Sequence, residues 1–148
     1  MTVQPHNTSA IPKQRNLDAT AHKSRIRVAV RMRRSTVVLS VYGEVDTFNA
    51  AYVGEVLGRF ACLRHGLVVD LGALRFCGLA GMRMLEELNA DCHAGHARWA
   101  LVVGPAVAEV LRLTVVAGSL RTATSVDEAL HLLEQPQVHR TRRRLAGA

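Results

Sequence analysis

Three groups of residues in this chain have the types and spacing for chemistry. The segment "DCHAGHAR" holds Asp91, Cys92, His93 and His96 within six residues. Zinc takes about four such ligands in a tetrahedron, usually from two separated elements with HxxxH or CxxC spacing, and no second half is evident. Histidines closing a helix are more simply partners of the negative end of its dipole, so no metal is expected. Asp70 ends the strand-like run "LVVDL", and with Asp46 and Glu44 it could form a carboxylate cluster for glycoside or metal chemistry. Few polar residues surround these three, and the simpler role of Asp70 is to accept backbone hydrogen bonds at a strand-loop junction. The third group is the turn in "VVDLGALRFCGLAGMRMLEEL", where a strand hands over to a helix at "CGLAG". Such turns gather free N–H groups at a helix N-terminus and suit a phosphate or a reactive side chain. Yet Gly78 to Met82 contains no Ser, Thr, Asp, Lys or His.

Several activities are excluded by what is missing. No lysine follows Lys23, so the body has neither a GK[ST] phosphate loop nor the lysine of a phosphoacceptor receiver domain. Gly54 with Gly58, and Gly78 with Gly81, do not make GxGxxG, and no serine lies between Ser40 and Ser119 to form a G-x-S-x-G elbow. No catalytic residue and no cofactor are expected.

The elements that must position the turn follow from periodicity. "IRVAVRM" and "TVVLSVYG" read as two strands joined at Arg33-Arg34-Ser35 into a hairpin. "DTFNAAYVGEVLGRFACL" has helical spacing, with Phe48, Ala51, Tyr52, Val56 and Phe60 as its apolar stripe and Asp46 or Thr47 as its N-cap. "LVVDL" is continuously apolar and β-branched, as a strand buried on both faces requires. A short loop is expected between Asp70 and the turn. From Gly81, Met82, Leu85, Leu88 and Asn89 mark one helical face running to about Ala94. "RWALVV" is the next strand, Pro105 opens the helix "AVAEVLRL", and a last short strand is expected near Leu120 to Thr122. Ser125 and Glu128 fit a capping box opening "ALHLLEQ". The pattern is an α/β layered domain: a mixed sheet of about five strands, an initial hairpin followed by alternating strand and helix, flanked by helices.

The chain has 148 residues and a net charge of +7. That length suits one domain, expected at 26–135, which buries roughly 65–70% of its unfolded surface. Residues 1–34 hold eight basic groups against Asp18 alone, residues 136–148 hold four arginines and no carboxylate, and the body 35–135 has seven arginines against eleven carboxylates. The domain itself is mildly acidic, and 1–25 and 136–148 read as a flexible basic extension and a basic tail. No aromatic residue precedes Tyr42 or follows Trp99, so the ends lack stacking platforms for nucleic acid, which is not an expected partner. The longest uncharged run of the body, Trp99 to Ala108, is about half of what a bilayer needs, and residues 1–24 have no apolar block. A cytoplasmic protein with no membrane partner is expected, with Cys62, Cys77 and Cys92 as reduced thiols.

Two segments carry a family resemblance. "VYGEVDTFNA" resembles the G-E-[hydrophobic]-D signature that closes the second strand of STAS domains, the fold of bacterial anti-sigma factor antagonists. "VVDLGALRFCGLAGMRML" is similar to the same family's "VxDLSxVxFxDSSGLxxL" segment, and "VGPAVAEVLRLT" resembles its next strand-helix stretch. The resemblance spans about Ile26 to Gln135 and implies a regulatory binding protein without enzymatic activity. Its implied partner is an anti-sigma factor of the histidine-kinase-like ATPase fold. In matching positions Phe76 meets the family's Phe, Gly78 its Asp, Leu79 its phosphorylatable Ser, Ala80 the following Ser or Thr, and Gly81 its Gly. A small S/T-G pair of the family is replaced by Thr114-Val115.

In the family the anti-sigma factor phosphorylates that serine, and the added charge of about −2 weakens the complex. Leu79 accepts no phosphate and mimics none. The resemblance therefore implies binding without serine phosphorylation, through Asp46 and Thr47 on one loop and Gly78, Leu79, Ala80, Gly81, Met82 and Arg83 on the other, with Leu79 and Met82 as an apolar patch. An alternative role is a non-phosphorylatable scaffold or a self-associating subunit, a homo-oligomer built on that patch. Thr47 is the hydroxyl expected nearest the lost phosphosite.

Overall fold

The computed structural model describes residues 25–61 and 65–135. The expected extension (apart from Arg25), the basic tail and Cys62 lie outside the described residues. The chain opens with β1 (Ile26–Arg33) and β2 (Thr36–Val45), paired antiparallel from Arg33 against Thr36 to Ile26 against Gly43. Arg34 and Ser35 connect them with φ of 49° and 64°. A two-residue turn with both residues left-handed matches the twist of the strands it joins.

The remaining elements are α1 (Ala50–Ala61), β3 (Gly66–Asp70), β4 (Leu74–Cys77), α2 (Leu79–Ala94), β5 (Trp99–Val102), α3 (Pro105–Leu111), a 3-10 turn (Val115–Gly118), β6 (Thr122–Ala123) and α4 (Val126–Glu134). The sheet runs β1-β2-β3-β5-β6, antiparallel only between β1 and β2, and β4 pairs parallel with β2 beyond the end of β3. The mixed α/β architecture is the one expected, with six strands instead of about five.

Three expectations are corrected. The segment after Asp70 is not simply a loop: Leu74–Cys77 continues along β2, with Gly43, Glu44 and Val45 opposite Leu74, Phe76 and Cys77. Four residues with an arginine among them carry too little pattern to read as a strand, but β2 is long enough to hold β3 and β4 in succession. Its register shifts between Gly43 and Glu44, where Gly43 has φ 109° and a Cβ would overlap the Arg25 carbonyl oxygen. The last strand is Thr122–Ala123, later than expected, because pairing with Leu101 and Val102 decides its place. The buried stripe of α1 is Ala50, Val53, Leu57 and Ala61, while Ala51 is exposed and Tyr52, Val56 and Phe60 are half-buried. Phe48 lies ahead of the helix in the turn that caps it, so it cannot share the helical stripe.

Side chains alternate across β2. Val37, Leu39 and Val41 join Leu67, Val69 and Leu101 under α1, α2 and α3, and Val38 joins Val68, Ala100 and Val102 under α4. Each fully buried Val or Leu contributes about 1.5–3 kcal/mol to holding the layers together. Met82, Leu85 and Leu88 of α2 face this core as expected, with Met84 and Cys92 added. Asn89 stands at its border and accepts the indole N–H of Trp99 at 3.0 Å. Among the described residues no helix is long and apolar enough to cross a membrane.

Candidate partner-binding site

Adjacent ends of β2 and β4 build the site. Val45 pairs with Cys77, and the Gly78 N–H donates to the Val45 carbonyl at 3.0 Å. The loop starting at Asp46 and the turn starting at Gly78 therefore leave the sheet side by side. Asp46 is the N-cap of α1: its Oδ1 accepts the backbone N–H groups of Phe48 at 2.8 Å and Asn49 at 3.0 Å. Asn49 replies, its Oδ1 accepting the Asp46 N–H at 2.9 Å while its Nδ2 donates to the Glu44 carbonyl at 2.8 Å. This closed set of bonds, with Asn49 fully buried, fixes the loop and leaves Thr47 and Phe48 on its outer side.

Gly78 caps α2 with φ −82° and ψ −177° and, lacking a side chain, supplies no cap bond. Gly81 turns inward, where a Cβ would overlap the Sγ of Cys77 and come within 3.2 Å of Val45 Cγ1. Cys77 is buried, and that burial pushes its thiol up to about 11. Leu79 points the other way and is 71% exposed.

The expected residues separate by exposure. Thr47, Leu79 and Arg83 are exposed, and Asp46, Gly78 and Ala80 are half-exposed. Met82, at 3% exposed, and Gly81 are core residues, so the expected Leu79-Met82 surface does not form. The α2 residue three places after Leu79 falls on the face that packs against the sheet. The apolar surface of this end is made by Leu79 with Phe76, 51% exposed, and Phe48, 57% exposed. Neither aromatic is among the expected site residues, although the match of Phe76 to the family's Phe is a signal in the sequence that points to it. Thr47, Ala80 and Arg83 also line one groove of about 480 Å³ between α1 and α2, together with Ala50, Gly54 and Glu87.

The other candidate chemistry disperses. Asp70 Oδ1 accepts the Gly72 N–H at 2.9 Å and its Oδ2 the Ser40 hydroxyl at 3.4 Å, the strand-junction role expected of it. Glu44 lies 3.9 Å from Arg25, and Asp46 is tied to α1, so each carboxylate has its own partner. Cys92 is buried in the core while Asp91, His93 and His96 are exposed, and among the described residues no three His, Cys, Asp or Glu side chains could hold a metal.

A protein-family model of the STAS domain matches residues 27–129. The chain belongs to the STAS domain family. Osmosensory protein A of Mycobacterium tuberculosis is 36% identical over 98 residues, covering 64% of this chain and 62% of that protein. Anti-sigma-F factor antagonist RsfB of the same species is 34% identical over 65 residues, 43% of this chain and 53% of that protein. The chain thus spans less than two thirds of the length of these relatives. The crystal structure of an anti-sigma factor antagonist from Mycobacterium paratuberculosis superposes with a TM-score of 0.68 at 25% identity, covering 74% of this chain and 95% of that one. The matched range includes both the loop after β2 and the turn after β4, which here holds Gly78, Leu79 and Ala80.

Proposed function

We propose that this STAS protein is an anti-sigma factor antagonist that binds its anti-sigma factor, a protein of the histidine-kinase-like ATPase fold, without serine phosphorylation at the usual position. One observation carries the reading: Leu79, which the motif resemblance sets at the family's phosphoserine position, is exposed, and so are Phe48 on the neighbouring loop and Phe76 at the end of β4. A phosphate at such a place adds charge and a desolvation cost that opposes docking, and a leucine with two aromatic neighbours does the reverse. Asp46 sets the shape of the first loop through α1, while Thr47 and Arg83 supply a polar rim. Gly81 and Met82 act from below as packing that fixes the turn, and no residue of this end is assigned a catalytic role.

The test is co-purification of the full chain with each anti-sigma factor of its source organism, with and without ATP. One of them is retained equally in both conditions on this reading. Retention that ATP abolishes, or none with any of them, overturns it.

A further inference from the structure

β1 borders the sheet. It pairs with β2 along its length, and among the described residues no strand lies on its other side. A border strand offers a row of N–H and C=O groups to an incoming chain. The side chains beside that row divide sharply. Met32 lies opposite Val37, Val30 opposite Leu39 and Val28 opposite Val41, so these apolar residues share the face covered by α1 to α3. Ile26 and Val28 pack against that core, but Val30 is 51% and Met32 57% exposed. Arg27, Arg31 and Arg33 occupy the opposite face, and no acidic residue occurs from Arg25 to Arg34. Arg33 reaches Asp127 at 3.1 Å, and Arg27 lies over the Tyr42 ring at 4.4 Å. No carboxylate of the described residues forms an ion pair with Arg31.

A second copy of the chain fits this edge badly. Antiparallel pairing centred on Ala29 sets Arg27 against Arg31, pairing centred on Val30 sets Arg27 against Arg33, and parallel in-register pairing sets every arginine against itself. Like charges directly opposite one another destabilise a strand pair. We propose that the β1 edge receives an extended acidic segment of another protein as an added strand, its residues alternating between apolar and Asp or Glu. The apolar set covers Val30 and Met32, and the carboxylates meet Arg27 and Arg31. Met32 lies opposite Val37, roughly 27 Å at strand spacing from Val45, where the Leu79 turn leaves the sheet, and Arg31 opposite Val38 is roughly 24 Å away, so the two surfaces approach each other only at the Arg27 end, opposite Tyr42.

The probe is a fluorescein-labelled ten-residue peptide alternating Val and Glu, titrated into the full chain, with a Val-Lys peptide as comparator. Saturable binding of the first peptide alone is expected, with amide shifts over Ile26–Arg33 in an ¹⁵N spectrum. Arg31→Glu weakens it severalfold, Arg27→Glu with Arg31→Glu about tenfold or more, and Leu79→Glu leaves it unchanged, with circular dichroism confirming each fold. Failure of the Val-Glu peptide to bind, equal binding of both peptides, shifts centred on residues 44–48 and 76–83, or a dimer of the chain itself that Arg31→Asp alters would each overturn the proposal.

Discussion

Gly81 sits directly above the buried thiol of Cys77, so close that a Cβ on residue 81 would overlap its Sγ and press on Val45. The turn that presents Leu79 is therefore held by contact between the first turn of α2 and the end of β4. Gly81→Ala forces Cys77 to rotate within a packed core and costs about 1–3 kcal/mol, even though alanine favours a helix. Urea denaturation measures the loss, and an unchanged midpoint would contradict the contact.

The same thiol makes stability depend on alkaline pH. Burial holds the Cys77 proton up to about 11, whereas an unfolded cysteine loses it near 8.5–9. The folded state binds the proton more tightly, so this contribution is complete below about pH 8.5 and is lost as the pH rises through 11. Denaturation midpoints between pH 8 and 11 are expected to fall by an amount worth about 2 kcal/mol, and Cys77→Ala flattens that slope.

Much of the fold is legible because hydrophobic pattern and burial agree. "LVVDL" became β3 with Val68 and Val69 fully buried, and Ser125 does cap α4, accepting the Glu128 N–H at 3.1 Å. The returning arm of that cap is shifted by one residue: Glu128 accepts from the Thr124 N–H and hydroxyl at 2.8 and 2.7 Å. What was not legible depended on partners distant in sequence. β4 exists because β2 extends past β3, a fact that no local spacing of "RFCGLAGM" encodes, whereas the helical spacing of Met82 with Leu85 and Leu88 already places Met82 on the core face and argues against a shared surface with Leu79. Phe48 and Phe76 count as hydrophobic in any pattern, and it is the capping turn ahead of α1 that turns Phe48 outward and the exposed middle of the short strand β4 that does so for Phe76.

The end of α2 shows the limit of reading glycine from sequence. Gly95 invites assignment as the left-handed residue, yet its φ is −84° and His96 takes φ 53°. The Ala97 N–H reaches the Cys92 carbonyl at 2.8 Å and the His96 N–H the His93 carbonyl at 3.2 Å, the two bonds of a Schellman motif. His96→Gly relieves the left-handed strain and is expected to add about 0.5–1 kcal/mol to stability, measured as a higher Tm.

The β1-β2 turn offers a second gain of this kind. Arg34 and Ser35 both adopt positive φ, where Asn-Gly is strongly preferred. Replacing the pair, Arg34→Asn with Ser35→Gly, raises stability by about 0.5–1 kcal/mol, because the exposed Arg34-Glu134 pair that is lost contributes little. A lower Tm would contradict the turn geometry.

If Leu79 carries docking without a phosphate switch, affinity for the anti-sigma factor must depend on that side chain. Calorimetry should compare the full chain, Leu79→Glu and Leu79→Ser, each with and without ATP. The natural chain is expected to bind independently of ATP, Leu79→Glu to lose at least tenfold in affinity, about 1.4 kcal/mol or more, and Leu79→Ser to bind in a manner that ATP weakens. Equal affinity of the natural chain and Leu79→Glu would contradict this role of Leu79.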